Sequence, residues 1–527
     1  MEEHKVLGKV PESPTTPGKG MQSRKFDIAD LYNSPIKSED DTGDKNYGLD
    51  EKLRKAYFWI ANYAIINPFC DIEYNDTPPN EYIIGDSKSR LVLPTGQSYT
   101  SFILLPLLTL VTRRKCLLVG GPGRGKTSSA VIMGLLAGYS MADIQRAVQH
   151  GQPQMTVSDL LGNPLPSDMV SAKSMDEIKI AWRKWLGMRV KIIDEYNRIP
   201  TRTQSALLNV MSENYAELLD QVYECPDAAW FLTANDDAGG GTYQVIEALR
   251  DRIDIVVKAL HFNSRFLKQL LERIEQGIKP EESVPEEIIF SEDEISIINK
   301  EILAVEIPQL LMRRIEYFAS QFELLESSGE QIEYKTKDNA KTTGSDIAQL
   351  MRDETGKDQL KDLSYQTLNG FSVRTFMTVL SYIKALAYFR GNKQAEFEDV
   401  RHILPFVLQD KLVQNTDSPF FEQPENAVYR HDKISWIKRI FDLSCSEFDR
   451  SGLDKNDPAG KLLDQFRAGL EGVSEKDASQ ILIQIERMIK DISAGRKLYG
   501  PMLDDLLTLK YLHQRYSGYL RWLKWKQ

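Results

Sequence analysis

The chain has 527 residues, of which 42% are hydrophobic and 27% charged, and its formal net charge is −10. Such a length can bury a large core in two or three folded units, and the acidic balance argues against a protein whose main task is to track nucleic-acid phosphates. Four cysteines without C-x-x-C spacing (Cys70, Cys116, Cys225, Cys445) argue against a disulfide framework or a zinc site and suit a reducing cytoplasm.

Residues 1–48 are rich in Ser, Pro, Gly, Lys and Asp and read as a disordered N-terminal arm without the apolar stretch of a secretory signal. Residues 49–94 read as a helical, then irregular, extension. Leu53–Ile66 has apolar residues at helical spacing and stops at Asn67-Pro68, while Ile72–Pro94 reads as loops and short strands. The aromatic run Tyr57–Tyr63 is better read as core than as a base-stacking platform. From 95 to 260 short apolar runs alternate with helical or polar stretches: Cys116–Gly120, Val190–Asp194 and Ala228–Asn235. That rhythm predicts an α/β core, a parallel sheet flanked by helices.

Residues 261–412 are helical, interrupted near 327–361 by a charged, Gly/Thr-rich stretch that reads as an inserted loop or mobile segment. Residues 413–527 form a further helical region. It closes in an antiparallel hairpin of Ala478–Ile492 and Met502–Tyr516, because Ile481, Ile485, Met488 and Ile492 share one face. At the end, Trp522 and Trp525 stand among basic residues. Packing of the last helix is preferred there to a membrane-surface or acidic-partner role. No apolar run reaches the roughly 18 residues of a membrane span.

Chemistry concentrates between 120 and 240. Gly120, Gly121, Pro122, Gly123, Arg124, Gly125, Lys126 and Thr127 fit G-x-x-x-x-G-K-[ST], with Ser128 following in the same turn, between an apolar strand and a helix. Glycines let backbone N–H groups turn onto phosphates, and a helix N-terminus adds partial positive charge. Lys126 suits the β- and γ-phosphates of ATP, and the Thr127 hydroxyl suits Mg²⁺. Asp194 ends the second strand, where a carboxylate can hold Mg²⁺ through water. Glu195, next in sequence, can polarise a water for attack on the γ-phosphate. Asn235, ending the third strand, can position that water or sense the phosphate.

Several segments extend this reading to a resemblance. Asp194–Glu213 (DEYNRIPTRTQSALLNVMSE) resembles the Walker B region of MoxR-type AAA+ ATPases. Thr156–Leu165, Gly239–Asp254, Gly370–Phe376, Ala395–Leu412 and the Thr95-Gly96-Gln97 turn resemble further segments of that family in the right order. Together they span roughly 95–412. The resemblance implies an AAA+ αβα core at 95–260, a helical lid at 261–412 and a ring, by expectation a hexamer. It implies hydrolysis of ATP to ADP and phosphate with Mg²⁺, used to remodel or activate a protein partner in a chaperone-like way. A partner carrying a von Willebrand factor A domain is implied by the resemblance alone. It assigns Arg252 as an arginine finger for the neighbouring subunit's ATP, with Arg250 as the nearby rival, and Arg374 as the lid's sensor arginine. Val245 stands where the family has proline, and 166–185 departs from its pattern. A nucleic-acid-linked AAA+ motor is the first alternative, and the mixed-charge insert PLPSDMVSAKSMDE gives it little support. A scaffold that binds ATP without turnover is the second, and the Asp194–Glu195 pair speaks against it.

Overall fold

The structure is a computed structural model that describes residues 48–85, 89–171, 178–235, 247–354, 359–495 and 497–526. The reading of 1–48 as a disordered arm falls, except for Gly48, outside the described residues. Its centre is a five-stranded parallel sheet of β1 (Lys115–Val119), β2 (Gln149–His150), β3 (Val190–Asp194), β4 (Ala229–Ala234) and β5 (Ile255–Lys258), in the order β5-β1-β4-β3-β2. Every residue of β4 is buried, as expected of a strand covered by helices on both faces. One apolar cluster, including Leu117, Trp185, Ile193, Leu207, Trp230 and Leu232, fills one side of the sheet. This strand order sets the C-terminal ends of β1, β4 and β3 side by side, where an open parallel sheet offers its crevice.

Four helices pack around this sheet and its approaches. The first, α1 (Leu49–Trp59), continues as one π-helical turn (Ile60–Ala64) and buries Tyr57 edge-on against Tyr99 and Phe389. These are core contacts, as the aromatic run suggested. Next comes α2 (Ser101–Thr112), in which every residue is buried. Then α3 (Lys126–Leu136) follows the Gly-rich loop directly. After β3, α4 (Thr201–Glu213) returns toward the N-terminal edge of the sheet.

The helical region beyond β5 is fastened at that N-terminal edge. Along α5 (Val373–Phe389), Tyr382 bonds the Thr109 hydroxyl of α2 (2.7 Å), and the Thr378 hydroxyl donates to Asp254 Oδ1 (2.5 Å). Asp254 also accepts from the Lys115 N–H (2.9 Å), so it closes the starts of β1 and β5. The following helix, α6 (Phe397–Leu408), packs on β5 and is held to the short 72–99 pairing by the Tyr74 hydroxyl, which donates to Asp399 (2.8 Å).

The stretch near 327–361 is not the loop its composition suggests. Among its described residues it holds helices Lys337–Thr342 and Ile347–Asp353, capped by Thr336 and Asp346. Its few apolar residues converge: Ala340 and Met351 form a small core with Leu325 and Tyr365, against which Ile347 and Leu350 pack. Charges outnumber these residues, so composition hides the helices while side-chain caps and one compact apolar point hold them.

Beyond it, α7 (Lys433–Arg450) packs on α6, with Asp442 bridging Arg401 (2.9 Å). The chain closes with α8 (Glu475–Ser493) and α9 (Gly500–Lys526). The pairs Glu486–His513 and Glu475–Lys524 advance in opposite senses, as an antiparallel hairpin requires. Ile485, Leu509, Leu512 and Tyr516 form its core, with Ile481, Met488 and Ile492 against them. The terminal tryptophans are not part of that core: Trp525 is 84% exposed, and Trp522, about half exposed, stacks on Tyr519 (5.8 Å). They lie level with the first turn of α8, where Lys524 meets Glu475, and point away from the hairpin core. No described helix is long and apolar enough to cross a membrane.

Candidate functional site

The loop after β1 turns back on itself because Gly123 and Gly125 adopt positive φ (71° and 75°), and Gly125 caps α3. Gly120, Gly121 and Pro122 lead out of the strand. Arg124 directs its guanidinium sideways, donating to the Ala259 carbonyl beyond β5 (3.0 Å). Lys126 is buried, its ammonium donating to the carbonyls of Gly120 (2.6 Å) and Gly121 (2.8 Å) and to Asn235 Oδ1 (3.0 Å). Thr127 and Ser128 occupy the first turn of α3.

The ends of β3 and β4 meet this loop. The Thr127 hydroxyl donates to Asp194 Oδ1 (2.8 Å), and the same carboxylate accepts from Thr233 (2.6 Å) and meets His150 Nδ1 at 3.2 Å. Asn235 Nδ2 donates to Glu195 Oε1 (2.7 Å), and Arg198 lies 3.2 Å from Oε2. Glu195 has φ 54°, a left-handed backbone costing about 1–2 kcal/mol for a non-glycine residue. Two contacts hold it there. The Thr233 hydroxyl accepts its N–H (2.9 Å), and Gly151 lies so close that a Cβ would come within 2.2 Å of its carbonyl. The turn aims the carboxylate back at Asn235.

Lys126, Thr127, Asp194, Glu195 and Asn235 thus form one connected network. Arg252 and Arg374 are not part of it. Arg374 pairs with Asp251 (2.7 Å) in the helix Glu247–Arg252, three residues before Asp254 at the N-terminal edge. Arg252 bonds Ser212 near the end of α4 and the Ala248 carbonyl (2.9 Å), and Arg250 pairs with Asp410 (2.8 Å). A strand of five residues, about 13 Å at 3.3 Å per residue, separates this edge from the Gly-rich loop. Sequence reasoning missed Thr233, His150 and Gly151, all within hydrogen-bonding or packing distance of the acidic pair.

Comparison with known proteins concerns the region that carries this network. Residues 115–255 match the family model described as the ATPase family associated with various cellular activities (AAA), so the sheet and its loop are an AAA-type ATPase core. Chaperone MoxR1 of Mycobacterium tuberculosis is 22% identical over 318 residues, 59% of this chain and 71% of that protein. The chain is thus similar to a MoxR-type AAA+ ATPase, and its residues 115–255 carry the AAA match. A crystal structure of an ATPase candidate from Cytophaga hutchinsonii is 19% identical, covers 64% of this chain and 89% of its own, and has a TM-score of 0.44.

Proposed function

We propose that the chain hydrolyses ATP to ADP and phosphate at sites shared between neighbouring subunits of a cytoplasmic ring, by resemblance a hexamer, and uses the energy to remodel a protein partner. The observation that supports this most is the division of charged residues between two edges of one sheet. The Gly-rich loop gathers its lysine, carboxylates and amide at the C-terminal edge, while Arg252 and Arg374 stand at the other.

Gly120–Ser128 would wrap the phosphates with backbone N–H groups, and Lys126 would exchange two loop carbonyls for phosphate oxygens. Thr127 and Asp194 present two hard oxygen ligands 2.8 Å apart, a donor set suited to Mg²⁺, which when bound neutralises charge on the β- and γ-oxygens. Glu195, held by Asn235, accepts the proton of the attacking water. Arg252 and Arg374 of one subunit stabilise charge on the phosphoryl group held by the next, so that turnover depends on assembly. The partner carrying a von Willebrand factor A domain stays part of this proposal through the family resemblance. Glu195→Gln should bind ATP and hold the assembled ring while hydrolysis falls to background. Unchanged phosphate release by that variant would remove Glu195 as the base. A pull-down with the trapped ring should retain the protein partner, and stimulation of turnover by DNA alone would favour a nucleic-acid motor.

A further inference from the structure

Between β5 and the helical region the chain passes beside the nucleotide loop and presents an exposed apolar face among the described residues. Ala259 donates its N–H to Val119 (2.7 Å), and its carbonyl stands 2.8 Å from where a Cβ on Gly120 would lie. Further on, residues 280–282 pack on α3, and the Phe290 N–H donates to Leu136 at the far end of that helix (2.7 Å). The helix Leu267–Glu275 lies between these fixed points, tied down by Arg273, which donates to the carbonyls of Asn62 (3.3 Å) and Ala64 (3.4 Å).

It is strongly amphipathic, yet none of its residues is buried. Leu267, Leu271 and Ile274 follow helical spacing along one exposed stripe, Ile274 is 65% exposed, and Ile278 is exposed just past the turn at Gly277. Leu260 and Phe262 extend the patch toward the Gly-rich loop. A run of large aliphatics on one face is more than the scattered apolar residues of an ordinary surface. The polar face carries Lys268 and Arg273 against Glu272 and Glu275, so it lacks the excess of cations that draws an amphipathic helix to anionic lipid.

We propose that this face is covered by a second copy of the chain, through the first turn of its α5. There Val373 (77% exposed) and Met377 (56% exposed) flank Arg374. The inference rests on the shared-site reading and names the surface that joins the subunits. A neighbour that brings Arg374 to the phosphates must lay the turn carrying it near the Gly-rich loop, and the chain that leaves that loop at Ala259 leads within a few residues to the Leu267–Ile278 stripe. Charge favours the same approach, because bound phosphates attract Arg252 and Arg374 to this side. The two apolar patches lie on different edges of one subunit. One contact therefore leaves a free patch at each end, and the association repeats until it closes.

The test uses the full chain carrying Glu195→Gln, with ATP, followed by sedimentation. Leu271→Asp with Ile274→Asp, and separately Val373→Asp with Met377→Asp, should each weaken assembly more than tenfold while ATP affinity stays within about twofold. The four positions are exposed, so an unchanged melting temperature verifies the fold. Mixed in equal amounts, the two variants retain one intact pairing of patches and should form dimers but no larger ring. Rings of unchanged size from both variants would overturn the proposal, as would unchanged rings that lose binding to a client protein or to neutral phosphatidylcholine vesicles. Failure of the Glu195→Gln parent to assemble with ATP would bring down the shared-site reading itself, and this inference with it.

Discussion

At the C-terminal edge of the sheet the polar groups are bonded mainly to one another, whereas at the N-terminal edge each arginine has a separate partner. Lys126 reaches Asn235, Asn235 reaches Glu195, and Thr127 and Thr233 share Asp194. Across the sheet, Arg250 pairs with Asp410, Arg374 with Asp251, and Arg252 with Ser212. The first arrangement is half-buried and strained at Glu195, as befits groups fixed before substrate arrives. The second consists of partly exposed pairs. Arg374 and Asp251 are each about two-fifths exposed, and such a pair contributes only about 0–1 kcal/mol. An arginine held so weakly can be handed to a phosphate at little cost. Under the proposed function, the contrast separates a half-site organised within one chain from one that a neighbour would complete.

The largest effect that tests this contrast is Lys126→Ala. It should abolish nucleotide binding and lower hydrolysis to background, at least about 10³-fold, because it removes both the charge on the phosphates and the link to Asn235. Arg252→Ala and Arg374→Ala should each lower kcat about 10²- to 10³-fold while ATP affinity, read by fluorescence titration, changes only a few-fold. Mixing Lys126→Ala subunits with Arg252→Ala subunits should then restore part of the activity, since one supplies the arginine and the other the loop. A mixture that stays as inactive as its components would mean that the two edges do not serve one site. Asp251→Asn should be much milder: Arg374 loses an exposed partner, stability shifts by less than about 1 kcal/mol in chemical denaturation, and kcat/KM moves less than about fivefold.

The organised edge was legible in the sequence because Asp194 and Asn235 end short apolar runs and the Gly-rich loop follows another, and runs of that kind in an α/β chain bring their C-terminal ends together. Thr233 was hidden inside such a run, where a β-branched residue reads as strand filler. His150 sits on a two-residue strand too short to show any period. The side of the sheet on which Arg374 lies was not legible. It depends on α5 meeting α2 through Thr109 and Tyr382, a contact between residues 273 apart in sequence whose partners carry no local signal. Helices at 337–353 escaped notice because a small apolar core amid many charges has the composition of a loop. The terminal tryptophans misled in the other direction, since aromatic content says nothing of which face of a helix meets its neighbour.

The smallest effect concerns what fastens the helical region at the arginine edge. His402 of α6 is buried against the Tyr74 ring (4.9 Å), beside Lys438, Arg401, Arg390 and Glu398. Burial, reinforced by the positive charge of Lys438, pushes its imidazolium pKa down from 6.5 to about 3. The unfolded chain therefore takes up a proton as pH falls through 6.5, while the folded chain refuses it until about pH 3. Stability from this group is complete above pH 6.5 and is lost progressively across that window, with a slope approaching about 1.4 kcal/mol per pH unit. Carboxylates titrate in the same range, so the informative quantity is a difference between proteins. His402→Phe keeps a ring against Tyr74 without the titration, and its melting temperature should fall less steeply than that of the parent between pH 6 and 4. Parallel curves would mean that the imidazole is solvated in solution. The seam between α6 and the 72–99 pairing would then be open, and the helical region would be free to leave the arginine edge.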